Sequence, residues 1–267
     1  MKKIGFIGAG NMGLAMMKGA IGYFGTEAIS YTDLNEDRLK YVCSVIGIPY
    51  LTSQKQCISN SDIIVLAVKP QFLNALLLEI KKDNSIKNKI FISIAPGIKI
   101  EAVKDVLGKD VKVVRAMPNT PAMVLEGMSA ICFSKDEYTE SEKDAVFQLF
   151  NSFGETSALT ENQLDMVVPV SGSSPAYVYM LIEAMADAGV MFGLPRDVAY
   201  KLAAQSVYGS AKMVLETGEH PGALKDAVCS PGGTTIEAVG VLEQKGFRSA
   251  VIEAMKTCYE KTKSFGK

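Results

Sequence analysis

Gly8-Ala9-Gly10-Asn11-Met12-Gly13 has the spacing Gly-x-Gly-x-x-Gly and follows the apolar run Ile4-Gly5-Phe6-Ile7 directly. In this pattern Gly8 takes the tight turn at the end of a strand. Gly10 leaves room for a pyrophosphate, and Gly13 lets the next helix lie close on the strand. A helix starting near Asn11 would aim its free N–H groups and the positive end of its dipole at the phosphates. The glycine spacing alone is common, but its surroundings here fit a dinucleotide site. Helical periodicity follows in Leu14, Met17, Ala20 and Ile21, and a second strand over residues 28–32 ends in Asp33. Asp33 lies about 20 residues past Gly13, the spacing of an acid that binds the adenosine ribose.

Two stretches in the second half also look unlike packing material. In Val170-Ser171-Gly172-Ser173-Ser174-Pro175-Ala176-Tyr177, Gly and Ser precede a proline at an expected helix start. Ser173 or Ser174 would be the N-cap and Pro175 the first helical residue. This reads either as an ordinary cap or as a helix N-terminus offering N–H groups to an anion or a cofactor amide. Val228-Cys229-Ser230-Pro231-Gly232-Gly233-Thr234-Thr235-Ile236-Glu237 is a Pro-Gly-Gly turn entering a second helix. Its glycines admit close backbone approach by a ligand. The helix start can hold a carboxylate, and a threonine hydroxyl both donates and accepts a hydrogen bond. A capped turn needs one glycine and one hydroxyl, so the duplication favours a ligand site.

Neither stretch holds a strong general base. Hydride transfer to a ketone normally uses a His, Lys or Tyr proton relay, and the candidates are Lys69, Tyr177, Lys212 and His220. Lys69 follows a buried strand and reads as closing over the cofactor. His220, the only histidine, sits in the turn-like Gly218-Glu219-His220-Pro221-Gly222 and reads as a surface or structural residue. An iminium already carries its proton and accepts hydride on carbon without such a base. This favours C=N chemistry without identifying the substrate.

The chain has 267 residues, enough for one large or two medium domains with a sizeable core. With 48% apolar and 21% charged residues it has a globular composition, and its net charge of −1 gives no reason to expect nucleic acid or an anionic membrane surface. No apolar run reaches about 18 residues, so no membrane span is expected. An N-terminal leader is not expected either, since its removal would destroy the first strand. The five cysteines, Cys43, Cys57, Cys132, Cys229 and Cys258, are odd in number and lack any Cys-x-x-Cys. That fits free thiols in a reducing cytoplasm and argues against a zinc site.

Through about residue 158, strands alternate with helices. A helix is expected over 36–45. The run Ile63-Ile64-Val65-Leu66-Ala67-Val68 is of the buried parallel-strand type and ends at Lys69-Pro70, with Pro70 suited to the first turn of a helix over 71–81. A strand over 89–94 runs into Ala95-Pro96-Gly97. A helix over 101–107 and a strand over 111–115 follow, then Met117-Pro118-Asn119-Thr120-Pro121, a strand over 127–133 and a helix over 139–153. This predicts an α/β fold, a doubly wound parallel sheet with ligands at the carboxyl ends of its strands. From about Glu161 only helices are expected, over 175–192, 195–217, 234–244 and 247–262. Ala184, Ala186, Ala188 and Gly189 beside Tyr177, Met180, Leu181 and Met185 suit close helix–helix packing. The remaining apolar faces call for a second copy of the chain. The boundary falls within 157–163, which separates a dinucleotide-binding domain, 1–158, from a helical dimerisation and substrate domain, 159–267.

Five blocks together make the chain resemble pyrroline-5-carboxylate reductases over its full length. They are Gly5-Phe6-Ile7-Gly8-Ala9-Gly10-Asn11-Met12-Gly13, Ala67-Val68-Lys69-Pro70, Arg115-Ala116-Met117-Pro118-Asn119-Thr120-Pro121, Ser171-Gly172-Ser173-Ser174-Pro175-Ala176-Tyr177, and His220-Pro221-Gly222-Ala223-Leu224-Lys225-Asp226 running on to Ser230-Pro231-Gly232-Gly233-Thr234-Thr235. The last is the most specific; the first is shared with many dehydrogenases. The resemblance implies a Rossmann domain followed by an all-helical dimerisation domain of the 6-phosphogluconate dehydrogenase-like type. It implies reduction of (S)-1-pyrroline-5-carboxylate to L-proline by NADH or NADPH, with no metal, as the last step of proline biosynthesis in the cytoplasm. It also implies a homodimer, which in the family often assembles into a pentamer of dimers.

By the same resemblance the cofactor lies on Gly8, Ala9, Gly10, Asn11, Met12 and Gly13, with Asp33, Gln54, Ala67, Val68, Lys69, Pro70, Ile94, Ala95 and Pro96. The substrate lies on Glu161, Ser173, Gly233, Thr234 and Thr235, its carboxylate meeting the Ser-Pro-Gly-Gly-Thr-Thr helix start of the partner subunit. Thr235 matches the threonine that bonds the ring nitrogen and is proposed as proton donor, which makes it the catalytic residue. Glu161 falls where the family has an acidic residue near the substrate, outside the motif blocks. Two positions depart from parts of the family. Some members carry Ser or an Asn-Arg pair suited to a 2′-phosphate where this chain has Asp33-Leu34-Asn35. A carboxylate there accepts ribose hydroxyls and repels a phosphate, so NADH is the expected preference, with Arg38 one helical turn on to soften it. Gln54 stands where some members have an Asn that touches the adenosine. Two other functions fit parts of the pattern. A β-hydroxyacid dehydrogenase would need a catalytic lysine facing an alcohol, and a redox sensor would bind NAD(H) without turnover.

Overall fold

The computed structural model describes residues 2–264. Ile4–Ile7 (β1), Ile63–Leu66 (β3) and Ile90–Ser93 (β4) are buried along their whole length. Both faces of their sheet are covered, which is why their sequences read as continuous apolar runs. Successive side chains point to opposite faces. Phe6, Val65 and Ile92 join one apolar layer, while Ile7, Ile64 and Phe91 join the other.

Ile29–Thr32 (β2), Lys112–Met117 (β5), Gly127–Phe133 (β6) and Gly154–Ala158 (β7) complete a seven-stranded sheet in the order β2-β1-β3-β4-β5-β6-β7. The pairs from β2 across to β5 are parallel, as is β6 with β7. The departure from an all-parallel sheet comes at β6, which runs antiparallel to β5, so that β6 and β7 both run opposite to the other five strands. The link between them holds only the short 3₁₀ segment Thr120–Val124, and a parallel crossover needs about a dozen residues or more. Sequence periodicity also passes over β7. Its residues Gly154-Glu155-Thr156-Ser157-Ala158 form a half-exposed edge strand with no apolar run to mark it.

Asn11–Phe24 (α1), Glu36–Ile46 (α2) and Glu140–Asn151 (α6) lie on one face of the sheet. Gln54–Ser59 (α3), Pro70–Ile80 (α4), Ile100–Leu107 (α5) and Glu161–Val167 (α7) lie on the other. The Thr139–Glu142 capping box at α6 satisfies two helix-end N–H groups reciprocally, worth about 1 kcal/mol. After α7, Val168–Gly172 forms a π turn, and Ser173 keeps helical backbone angles of φ −100°, ψ −22°. The N-cap expected at Ser173 or Ser174 is therefore absent. The Ser173 N–H instead donates to Val168 O at 2.8 Å.

Packing divides the chain into two units, one running through Ser173 and resuming at Cys258, the other spanning Ser174–Thr257. The second unit is helical: Ser174–Met191 (α8), Arg196–Thr217 (α9), Pro221–Val228 (α10), Thr234–Gln244 (α11) and the first part of Phe247–Ser264 (α12). Its buried residues are small ones, Ala186 on α8 and Ala199 and Ala203 on α9. A Cβ added to Gly189 would meet Ala199 Cβ at 3.2 Å, the close approach that the small residues foreshadow. Met180, Met191, Phe192, Leu202 and Leu215 remain exposed on the single chain. All five cysteines are free, and burial pushes the Cys57 thiol up to about 11. No helix among the described residues is long and apolar enough to cross a membrane.

Two glycines should respond oppositely to alanine. Gly154 has φ +147°, and a Cβ there would lie less than 3.0 Å from the Gly127 backbone. Gly154→Ala should cost about 3 kcal/mol in urea unfolding. Gly22 lies in the interior of α1, and nothing stands within 4 Å of where its Cβ would be. Gly22→Ala should gain roughly 0.5 kcal/mol in the same measurement.

Candidate functional site

β1 and β3 are neighbours in the sheet, yet the helices that follow them go to opposite faces. Their loops therefore diverge and open a crevice at the carboxyl edge, the topological switch point where α/β sheets bind ligands. Gly8 turns the chain there at φ +107°, and a Cβ on it would come within 3.0 Å of the Ala67 carbonyl. A Cβ on Gly13 would collide in the same way with Gly8 O. Gly10 is different: nothing lies within 4 Å of where its Cβ would stand. Its φ of −63° suits any residue, so the glycine keeps space open rather than relieving strain. No side chain caps α1 at Gly10, so the helix start presents its own N–H groups.

Asp33 and Arg38 hold this loop from the side of β2 and α2. Asp33 Oδ2 accepts the Ala9 N–H at 2.6 Å, and Oδ1 accepts the Asn35 N–H at 2.9 Å. Arg38 Nε donates to Ala9 O at 2.6 Å, and Nη2 donates to Asn11 Oδ1 at 3.2 Å. Both backbone polar groups of Ala9 are thus bound by charged side chains, the stronger class of hydrogen bond. A cavity of about 870 Å³ opens beside the loop, and its lining includes Gly8, Gly10, Asp33, Gln54, Ala67, Val68 and Lys69. Ala9, Asn11, Met12, Gly13 and Pro70 are not among its lining residues; they sit in the glycine loop, the first turn of α1 and the start of α4. Ile94, Ala95 and Pro96 follow β4 at the same edge, where Ile94 N–H donates to Leu66 O at 3.5 Å.

Residues of α4 also line the cavity: Phe72, Ala75, Leu76 and Glu79. They lie beyond Pro70, where the sequence motif ends. Their i, i+3, i+4, i+7 spacing was the available signal, but the same spacing marks a core face. Phe72 settles the difference, since it is 59% exposed.

The residues expected to meet a substrate fall into two groups. In the first unit, Glu161 Oε1 accepts the Ile100 N–H at 2.6 Å and lies 3.8 Å from Arg115 Nη1. Ser173 Oγ accepts from Cys258 Sγ at 3.3 Å. In the second unit, Gly232 turns at φ +67°, and Gly233 precedes α11 with no side-chain cap. Thr234 is exposed and Thr235 half-buried in the first turn. His220 caps α10, its Nδ1 accepting the Gly222 N–H at 3.0 Å, which is the structural role expected of it.

The chain is similar to known proteins in both of its halves. The family profile for pyrroline-5-carboxylate reductase dimerisation matches residues 161–265, and one described as NADP oxidoreductase, coenzyme F420-dependent, matches residues 3–97. The pyrroline-5-carboxylate reductase of Escherichia coli is 50% identical over 268 residues, covering 100% of this chain and 99% of that one. That of Methanosarcina acetivorans is 43% identical, covering 100% and 98%. The crystal structure of Plasmodium falciparum pyrroline carboxylate reductase with NADP bound is 34% identical, with a TM-score of 0.89, covering 100% and 98%.

Gly10 and Gly13 should separate fold from ligand binding. Gly10→Ala should unfold at the wild-type temperature while weakening NADH binding, read by fluorescence titration, at least tenfold. Gly13→Ala should lower both.

Proposed function

The chain belongs to the pyrroline-5-carboxylate reductase family, and from that membership we infer that it reduces (S)-1-pyrroline-5-carboxylate to L-proline with NAD(P)H, the last step of proline biosynthesis. The observation that carries the reading is the crevice at Gly10, where a glycine keeps space open at an uncapped helix start inside a cavity of about 870 Å³. That is the shape and polarity a dinucleotide pyrophosphate needs. We assign the pyrophosphate to Gly8, Ala9, Gly10, Asn11, Met12 and Gly13. The rest of the cofactor goes to Asp33, Gln54, Ala67, Val68, Lys69, Pro70, Ile94, Ala95 and Pro96. The bound nicotinamide supplies a hydride; everything else is the work of the chain.

The backbone N–H groups at Gly233 and Thr234, at the uncapped start of α11 and contributed by the partner subunit as the family resemblance implies, hold the substrate carboxylate. Thr235 bonds the ring nitrogen and orients the C=N bond; to an imine that arrives unprotonated its hydroxyl passes a proton and regains one from water, so that carbon receives the hydride as an iminium. Ser173 completes the substrate set, with Glu161 near it. Orientation supplies most of the rate, because an iminium needs no base to activate it. His220 is spent on capping α10 and is left out of the chemistry.

Asp33 gives the enzyme a preference for NADH, since its carboxylate accepts ribose hydroxyls and repels a 2′-phosphate. Arg38, which lines the same cavity, moderates that repulsion. The exposed apolar side chains of α8 and α9 support a homodimer, which we extend to the pentamer of dimers of the family. By role we divide the chain into a dinucleotide-binding domain, 1–158, and a dimerisation and substrate domain, 159–267, of the 6-phosphogluconate dehydrogenase-like type. The five free thiols support the reducing cytoplasm as its location.

Absorbance loss from NADH and NADPH, each with pyrroline-5-carboxylate, tests the assignment. Oxidation dependent on the imine is expected, faster with NADH; consumption of neither cofactor while both bind would overturn it. Thr235→Val should lower kcat by about a hundredfold or more with an unchanged circular dichroism spectrum. Asp33→Ser should move the NADPH to NADH ratio of kcat/KM upward by about tenfold, or about 1.4 kcal/mol.

A further inference from the structure

The Arg115 block takes no part in the chemistry above, yet it contains a buried guanidinium. Arg115, on β5, is 2% exposed. Two carboxylates one turn apart on α7 face it. Asp165 accepts a hydrogen bond from Nη2. Glu161 Oε1 stands 3.8 Å from Nη1, and Nη1 is buried without a hydrogen-bond partner. A buried cation this near a carboxylate would normally draw it into a full hydrogen bond. Here the same Oε1 is held elsewhere, by the Ile100 N–H at 2.6 Å.

Ile100 is the first residue of α5, and its N-cap residue, Lys99, makes no side-chain cap. Glu161 therefore caps α5 from another helix, with its charge at the positive end of the α5 dipole. Between β4 and α5 runs the segment that carries Ile94, Ala95 and Pro96. It is tied at its start by the Ile94 N–H to Leu66 O and the Ala95 N–H to Ser93 Oγ, both at 3.5 Å. Gly97, at φ +75°, turns it. At its far end the tie is the Ile100–Glu161 bond, the shortest of the three.

We propose that Glu161, oriented by the buried Arg115, is a positioning residue that fixes the 94–96 loop for the cofactor through the Ile100 N–H, and does not itself contact the imine. Arg115 supplies the attraction that keeps the Glu161 carboxylate in the interior, and α5 supplies the N–H that aims it. The proposal rests on reading 94–96 as part of the cofactor site.

The test compares Glu161→Ala, Glu161→Gln and wild type by NADH fluorescence titration without imine and by steady-state kinetics. Glu161→Ala should raise the NADH Kd and KM about fivefold and leave the KM for pyrroline-5-carboxylate within twofold. Glu161→Gln, which keeps an acceptor for the Ile100 N–H but loses the attraction to Arg115, should raise both NADH constants by less than Glu161→Ala does and leave the imine KM within twofold. A rise confined to the imine KM, an unchanged NADH Kd, or a Glu161→Gln defect as large as that of Glu161→Ala would overturn the proposal. If Glu161→Ala does not fold, Ile100→Pro removes the same N–H at a first-turn position that tolerates proline and must give the same split. A wild type that binds NADH but oxidises none with the imine would sink the substrate assignment, leaving the proposal to be judged on Kd. A wild type that binds no NADH would overturn both.

Discussion

Gly8 carries the chain past the Ala67 carbonyl so closely that one added carbon would lie within 3.0 Å of it. Everything at the carboxyl edge depends on this contact. It brings the ends of β1 and β3 together while α1 and α4 leave on opposite faces. A crevice there follows from chain connectivity, because two adjacent parallel strands cannot send their helices to opposite sides without parting their loops. Gly13 then brings α1 down onto Gly8 O, so the helix N-terminus meets the crevice at its floor. Only Gly10 among the three has no atom within 4 Å of where its Cβ would stand, so it leaves the space beside the helix start open.

Loops at such an edge have backbone groups beyond the reach of the sheet ladder, and leaving them buried and unpaired is costly. This protein binds them with charged side chains from neighbouring elements. Asp33 and Arg38 take the two polar groups of Ala9, and Glu161 takes the N–H of Ile100. In each case a carboxylate and an arginine serve the same stretch: Asp33 and Arg38 both bind Ala9, and Arg115 stands 3.8 Å from Glu161.

The helical unit follows a different rule. Ala186, Ala199 and Ala203 let α8 and α9 approach closely but bury little area themselves, and hydrophobic stabilisation scales with area at about 25 cal/mol per Å². The large side chains that would bury more, such as Met191 and Phe192, face outward on the single chain. A seam of small residues with large ones left outside suits a unit completed by a second copy.

Local chemistry fixed much of this in advance. The glycines at 8, 10 and 13, the acid at the end of β2, the proline that starts α4 and the alanine seam of α8 are legible in residue type and spacing, although the Ala67 carbonyl that Gly8 passes lies far along the chain. Other features needed partners distant in sequence. Nothing near Gly154 marks β7, because an edge strand needs an apolar neighbour on one side only and this one is mostly polar. The reversal of β6 follows from the length of a link rather than from the strand's own residues. The helical run through Ser173 came from the Val168 carbonyl overriding the local preference of Ser-Pro for a cap. Phe72 and its face of α4 carry a periodicity that serves core and cavity alike, and Arg115, Glu161 and Ile100 are far apart in the chain. Which faces turn to a cavity and which carboxylate reaches which N–H depend on distances between elements, and only the packed sheet and its helices set those distances.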